Sequence, residues 1–171
     1  NASPASVSCT VTTKKRTVPA PAAPTAGRTS DVSVTLTAIS GYEYRIEGGQ
    51  WQTSPTFMGL LPATAYTFYQ RIAETATDLV SPSSAGAQIK TAKSDVKAPA
   101  APKMKSKTAY SVTLRRTDGC EYRLGNGAWR DDPVFDGLDP ATAYTFYQRI
   151  AETATDLVSP SSAGAQIRTA K

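Results

Sequence analysis

The chain has 171 residues (18.1 kDa), 40% of them hydrophobic, with 19 Lys+Arg against 14 Asp+Glu, a formal net charge of +5 and no histidine. Without His it can build no Ser-His or Cys-His nucleophile pair and no imidazole metal site. No apolar run approaches the ~18 residues of a membrane-spanning helix and no N-terminal stretch has the make-up of a signal peptide, so the sequence reads as a soluble, processed or excised part of something longer.

Shifted by 78 positions, the sequence matches itself without a gap: Pro21-Ala22-Ala23-Pro24 recurs as Pro99-Ala100-Ala101-Pro102, and from Pro62 to Lys93 the copies differ only at Lys90 against Arg168. A repeat of this length defines a tandem array of like modules. Residues 1–18 carry Lys14, Lys15 and Arg16 and no acid. At the same offset Val11, Thr13, Lys15 and Val18 lie against Ile89, Thr91, Lys93 and Val96. Residues 1–18 are therefore read as the terminal strand or linker of a preceding module; the rival reading is the closing strand of an unrelated upstream domain. Residues 19–95 form repeat 1 and 96–171 repeat 2. The Pro/Ala-rich stretches Val18–Pro24 and Val96–Pro102 read as short, semi-rigid linkers.

Within repeat 1 the hydrophobic period is two, the mark of half-buried strands. Residues 32–38 alternate Val32, Val34 and Leu36 with Ser33, Thr35 and Thr37, and residues 42–47 alternate Tyr42, Tyr44 and Ile46 with Glu43, Arg45 and Glu47. Gly48-Gly49, and Asn126-Gly127 in the second copy, read as two-residue hairpin turns, with Trp51 and Trp129 on the return strands. Residues 65–73 and 143–151 are rich in aromatic and β-branched side chains, and a last strand runs near 85–92 with Ala85, Ala87 and Ile89 on one face. No amphipathic helix of useful length is present. The expected fold is all-β, two tandem immunoglobulin-like sandwiches. A module this small leans on a few large anchors: Tyr44, Trp51, Phe57, Tyr66 and Phe68, repeated as Tyr122, Trp129, Phe135, Tyr144 and Phe146.

Gly59-Leu60-Leu61-Pro62-Ala63-Thr64-Ala65-Tyr66 recurs as Gly137-Leu138-Asp139-Pro140-Ala141-Thr142-Ala143-Tyr144. This run resembles the tyrosine corner of fibronectin type III domains, in which a Tyr early in strand F bonds back to the upstream backbone. In that resemblance Leu60 and Leu138 fill the core, Pro62 and Pro140 stiffen the turn, and Tyr66 and Tyr144 pin the crossover. The usual tryptophan of the second strand is missing; Val34 and Leu36 stand there instead. With Tyr-Glu-Tyr-Arg and Gly-Gly-x-Trp ahead of the corner, the copies look like the divergent fibronectin-like modules of Gram-positive cell-surface and secreted proteins. That likeness implies an extracellular spacer, secreted or associated with the cell wall, beside catalytic, carbohydrate-binding or adhesive domains. No Arg-Gly-Asp tripeptide occurs, so integrin-type adhesion is not implied.

Little in the sequence points to chemistry. Cys9 and Cys120 share phase with apolar neighbours and are expected to be free, buried thiols rather than a disulfide. Asp131, Asp132, Asp136 and Asp139 occur only in the second copy. They match no calcium loop, and are expected to be solvated and to balance Arg123 and Arg130. A paired-carboxylate hydrolase site is set aside because one small sandwich offers no deep cleft. Tyr69 with Arg71, and Tyr147 with Arg149, are out of phase with the core tyrosines. They are the candidate platform for stacking a sugar, against cross-strand packing on the outer face.

No catalytic, metal-binding or cofactor-binding residue is assigned. The basic residues sit mostly in linkers or among acids, and no nucleic-acid partner or membrane insertion is expected. The leading expectation is a non-catalytic extracellular spacer that positions neighbouring domains of the same polypeptide. The alternative is a module that binds a glycan or a surface protein, by a surface platform or by accepting a strand at a sheet edge.

Overall fold

The computed structural model describes residues 13–171. Among these residues there is no helix, and the ordered elements are twelve strands. Repeat 1 contains β1 (Ala26–Thr29), β2 (Ser33–Leu36), β3 (Tyr42–Ile46), β4 (Thr56–Met58), β5 (Ala65–Ile72) and β6 (Ala87–Lys90). Repeat 2 contains β7 (Met104–Lys107), β8 (Ser111–Leu114), β9 (Cys120–Leu124), β10 (Val134–Asp136), β11 (Ala143–Ile150) and β12 (Ala165–Arg168). The chain divides into two compact units. The first holds the described residues up to Leu60 with Thr64–Thr91; the second holds Ala92–Lys171 with Leu61–Ala63.

Each repeat is built from two antiparallel three-stranded sheets, ordered β1-β2-β4 and β3-β5-β6 in the first and β7-β8-β10 and β9-β11-β12 in the second. The alternation of the sequence becomes the two faces of each sheet. Val34 and Leu36 of β2 and Phe57 of β4 face Tyr44 of β3 and Phe68 of β5, and these five form the buried core. Its counterpart is Val112, Leu114, Cys120, Tyr122, Phe135, Leu138 and Phe146. In both, two phenylalanine rings from opposite sheets meet at 5.0 Å, Phe57 with Phe68 tilted and Phe135 with Phe146 edge-on. The expected all-β fold of two tandem immunoglobulin-like sandwiches is thus the observed one. Tyr66 and Tyr144 are half-buried and pack against the core.

Two expectations need correction, and they share a cause. The hairpin after β3 is not centred on Gly48-Gly49. The Gly49 amide bonds to the Ile46 carbonyl at 2.9 Å, with Gly48 at φ 74°. The bond recurs from Gly127 to Leu124, but there the positive φ falls on Gly125. The loop is thereby one residue longer than a two-residue hairpin, and Tyr44 pairs with Gln52, as Tyr122 pairs with Arg130. A two-residue turn would have set Trp51 opposite Ile46, facing the core. One residue of slip sends it to the other face. Trp51 and Trp129 are half-buried, absent from both core clusters, and lie on the outer surface of the sheet.

The segment leading into each sandwich is fastened to it. Arg16 donates its amide to Thr77 and accepts from Leu79, at 2.9 and 2.8 Å, forming a parallel bridge with Asp78. Ser94 does the same with Thr155, Leu157 and Asp156. Further on, the Gln70 side chain donates to the Ala22 carbonyl at 2.9 Å and that of Gln148 to Ala100 at 2.8 Å.

Candidate functional site

The corner motif is drawn most fully in repeat 2. Leu138 is buried in the core and its amide bonds to the Tyr110 carbonyl at 3.0 Å. Pro140 then turns the chain, and Ala141 adopts the left-handed conformation at φ 49°, which is strained for any residue but glycine. The Tyr144 hydroxyl accepts the Asp139 amide at 2.9 Å. Thr169, just after β12, locks the same turn, its hydroxyl donating to the Asp139 carbonyl at 2.7 Å and accepting the Thr142 amide at 3.0 Å. In repeat 1, Leu60 and Tyr66 pack on the core in the corresponding way, Ala63 is left-handed at φ 47°, and Thr91 accepts the Thr64 amide at 2.9 Å; Pro62 opens the turn. These residues shape the fold.

The candidate sugar platform lies on the outer face of the sheet containing β3 and β5. Register sets Arg45 opposite Tyr69 and Glu43 opposite Arg71. The Arg71 guanidinium pairs with Glu43 at 2.7 Å and stacks on Trp51 at 4.4 Å from the ring centroid. Arg45 lies over Trp51 at 4.8 Å and over Tyr69 at 5.0 Å. Repeat 2 duplicates the ladder: Arg149 with Glu121 and Trp129, and Arg123 over Trp129 and Tyr147. Gly86 and Gly164 complete it. A Cβ on Gly86 would fall 3.1 Å from a Tyr69 ring carbon, and one on Gly164 as close to Tyr147. The aromatic surfaces are therefore engaged by the protein's own guanidinium groups and backbone, with cation–π stacking as the cement.

The acidic cluster disperses. Asp132 caps its own turn by accepting the Val134 amide at 3.0 Å, and Asp139 belongs to the corner. No metal-holding group of three His, Cys, Asp or Glu exists among the described residues. Arg123 and Arg130 do not balance these acids as expected; Arg123 stacks in the ladder and Arg130 lies 4.0 Å from the centre of the Phe135 ring. An aromatic face is within reach of each guanidinium. Cys120 is a free, buried thiol whose pKa is raised by burial, so it is poorly nucleophilic. Cys9 lies outside the described residues.

Three features escaped the reading of the sequence. The Tyr44 and Tyr122 hydroxyls pin the connection before their own strand: Tyr44 accepts the Ile39 amide at 2.7 Å, and Tyr122 accepts that of Thr117. Buried Ser81 and Ser84 stand in for a strand, their hydroxyls accepting the Ile72 and Gln70 amides at 2.9 and 3.0 Å. Lys93 donates to Glu152 at 2.6 Å, as Lys15 does to Glu74, beside the fastened lead-in segments. Of these, Glu74, Ser81, Ser84 and Lys93 fall in the near-identical stretch 62–93, which does not reveal their partners.

No protein-family model matches the chain, and no curated protein matches it. Among solved structures it is similar to the FN1–FN3 domains of chicken CNTN1, at 16% identity and a TM-score of 0.34, over 91% of this chain and 65% of that one. No helix among the described residues is long and apolar enough to cross a membrane.

Proposed function

We propose that the chain is a non-catalytic spacer in an extracellular, secreted or surface-associated multidomain protein, setting the distance between neighbouring domains. One observation carries this reading: each sandwich holds its lead-in segment by the same bonds at a 78-residue offset, Arg16 to Thr77 and Leu79 and then Ser94 to Thr155 and Leu157. A module whose lead-in is part of its own body transmits position. A loose tether would absorb it. The remaining resources of the sequence go to fold anchors, the corner, the buried serines and the outer ladder.

In this reading residues 1–18 are the end of a preceding like module, because Lys15 and Arg16 occupy toward the first sandwich the places of Lys93 and Ser94 toward the second. Small-angle X-ray scattering tests the spacer. The maximum dimension is expected to grow by a constant increment for each 78-residue copy added to the chain. A particle that gains mass without gaining length contradicts it.

A further inference from the structure

The sheet β7-β8-β10 ends in two edge strands, β7 and β10, and both differ in character from their counterparts β1 and β4. At the β10 edge, Asp131, Asp132 and Asp136 are exposed and enter no ion pair among the described residues. Repeat 1 has Thr53, Ser54 and Met58 there. At the β7 edge, Met104 pairs with Leu114 and is 40% exposed. Lys103 and Lys105 stand on either side of it, exposed and likewise outside any ion pair among the described residues. Repeat 1 has Thr25, Ala26 and Gly27 in these places. Lys107 is occupied, its ammonium donating to the Arg168 carbonyl at 2.6 Å.

The β10 edge is also open where its counterpart is closed. In repeat 1 the Gln52 carboxamide donates to the Ser54 and Thr56 carbonyls at 2.8 and 3.0 Å, covering the edge of β4. Arg130 stands in the place of Gln52 but lies over the Phe135 ring, so among the described residues no side chain closes the Val134 carbonyl. Beside this edge is a pocket of about 360 Å³, with Leu124, Phe135 and Leu138 in its lining and the exposed Arg130 and Asp136 at its rim.

We infer that the β10 edge is a docking site for the β7 edge of a second copy of this chain, continuing the sheet from one molecule into the next. Strand addition at an open edge draws affinity from main-chain hydrogen bonds and specificity from side chains. Met104 would enter the apolar pocket, where a flexible thioether adapts to an irregular shape. Lys103 and Lys105 would meet Asp131, Asp132 and Asp136, three carboxylates against the one guanidinium of Arg130. Lysines on an edge strand ordinarily turn a stray partner away; an acidic edge is the partner they attract. The contact joins unlike edges, so it can add further copies. It is independent of the spacer reading.

Sedimentation equilibrium of the whole chain, under reducing conditions and up to millimolar concentration, tests it. The weight-average mass is expected to climb above 18.1 kDa as concentration rises. Lys103→Glu with Lys105→Glu, and separately Asp131→Lys with Asp136→Lys, should each stay monomeric. Mixing these two variants should restore association, a gain that no loss of folding can mimic. Met104→Ser should weaken association about tenfold. Arg130→Gln makes the edge more acidic, so attraction of charge alone would strengthen association. Closing the Val134 carbonyl, as Gln52 closes that of Thr56, should weaken it instead. The inference is overturned if the parent stays monomeric at millimolar concentration or if either reversed variant associates as well as the parent. It is equally overturned if the mixture stays monomeric, if Met104→Ser changes nothing, or if Arg130→Gln associates more tightly.

Discussion

The ammonium group of Lys93 donates to the Glu152 carboxylate at 2.6 Å, across the same 59-residue separation that joins Lys15 to Glu74. It also donates to the Thr153 carbonyl at 2.6 Å. In the first copy the clamp is doubled, because Arg16 pairs with Asp78 at 2.7 Å where the second copy has Ser94 beside Asp156.

These pairs make the fastening pH-dependent. Glu74 and Glu152 are held below the ordinary glutamate value of 4.5, chiefly by hydrogen bonds from Lys15 and Lys93, and Asp78 below 3.8 by Arg16. A carboxylate depressed in the folded state contributes stability above its unfolded value and loses it as pH falls through the folded one. Amide protection of Leu79 and Leu157, corrected for intrinsic exchange, is expected to fall as the solution is acidified below about pH 4.5. Lys93→Met should lower Leu157 protection at neutral pH. Ser94→Arg should raise it by recreating the Arg16–Asp78 pair on Asp156.

The tyrosine corner gives two changes of opposite sign. Tyr144→Phe removes the acceptor of the Asp139 amide in a half-exposed setting where water can replace it, for a loss of about 0.5–1.5 kcal/mol. Ala141→Gly relieves a left-handed alanine worth about 1–2 kcal/mol and adds about 0.4–1 kcal/mol of unfolded-state freedom, for a net gain of about 0.5–1 kcal/mol. Urea titration of the second sandwich reads both.

Each core stands by itself within its own pair of sheets. Phe146→Ala should cost the second sandwich about 3–5 kcal/mol, a large share of the stability of so small a domain. Resonances of β5 and β6 should keep their own denaturation midpoint in that variant. A matching fall in repeat 1 would show that the cores are not separate.

The outer ladder is expected to matter less than the core. Trp129→Leu removes stacking by Arg123 and Arg149, each contact worth about 0.5–1 kcal/mol at an exposed site, so the second sandwich should lose about 1–2 kcal/mol in the same titration. Tyr147→Ala should lower stability as well, because Gly164 and Arg123 both rest on that ring.

Much of this fold is legible in the chain because period two and the repeat are signals carried by neighbouring residues. Val34, Leu36 and Tyr44 follow from alternation, and Phe57 and Phe68 from being among the few large side chains a small module can use as anchors. Trp51 does not, because its face depends on the length of one loop, and Glu47-Gly48-Gly49 does not announce whether two or three residues lie at the bend. The clamp from Lys93 to Glu152 and the anchor from Gln148 to Ala100 join residues far apart in sequence, and no local pattern reports such partners.

The central claim is that each lead-in segment belongs to the body of the sandwich it enters. Native-state hydrogen exchange at the amides of Arg16, Leu79, Ser94 and Leu157 tests it most directly. Protection within about tenfold of the amides pairing β5 with β6 and β11 with β12 is the predicted result. Exchange of all four at the rate of a free chain, while the strands stay protected, would contradict it.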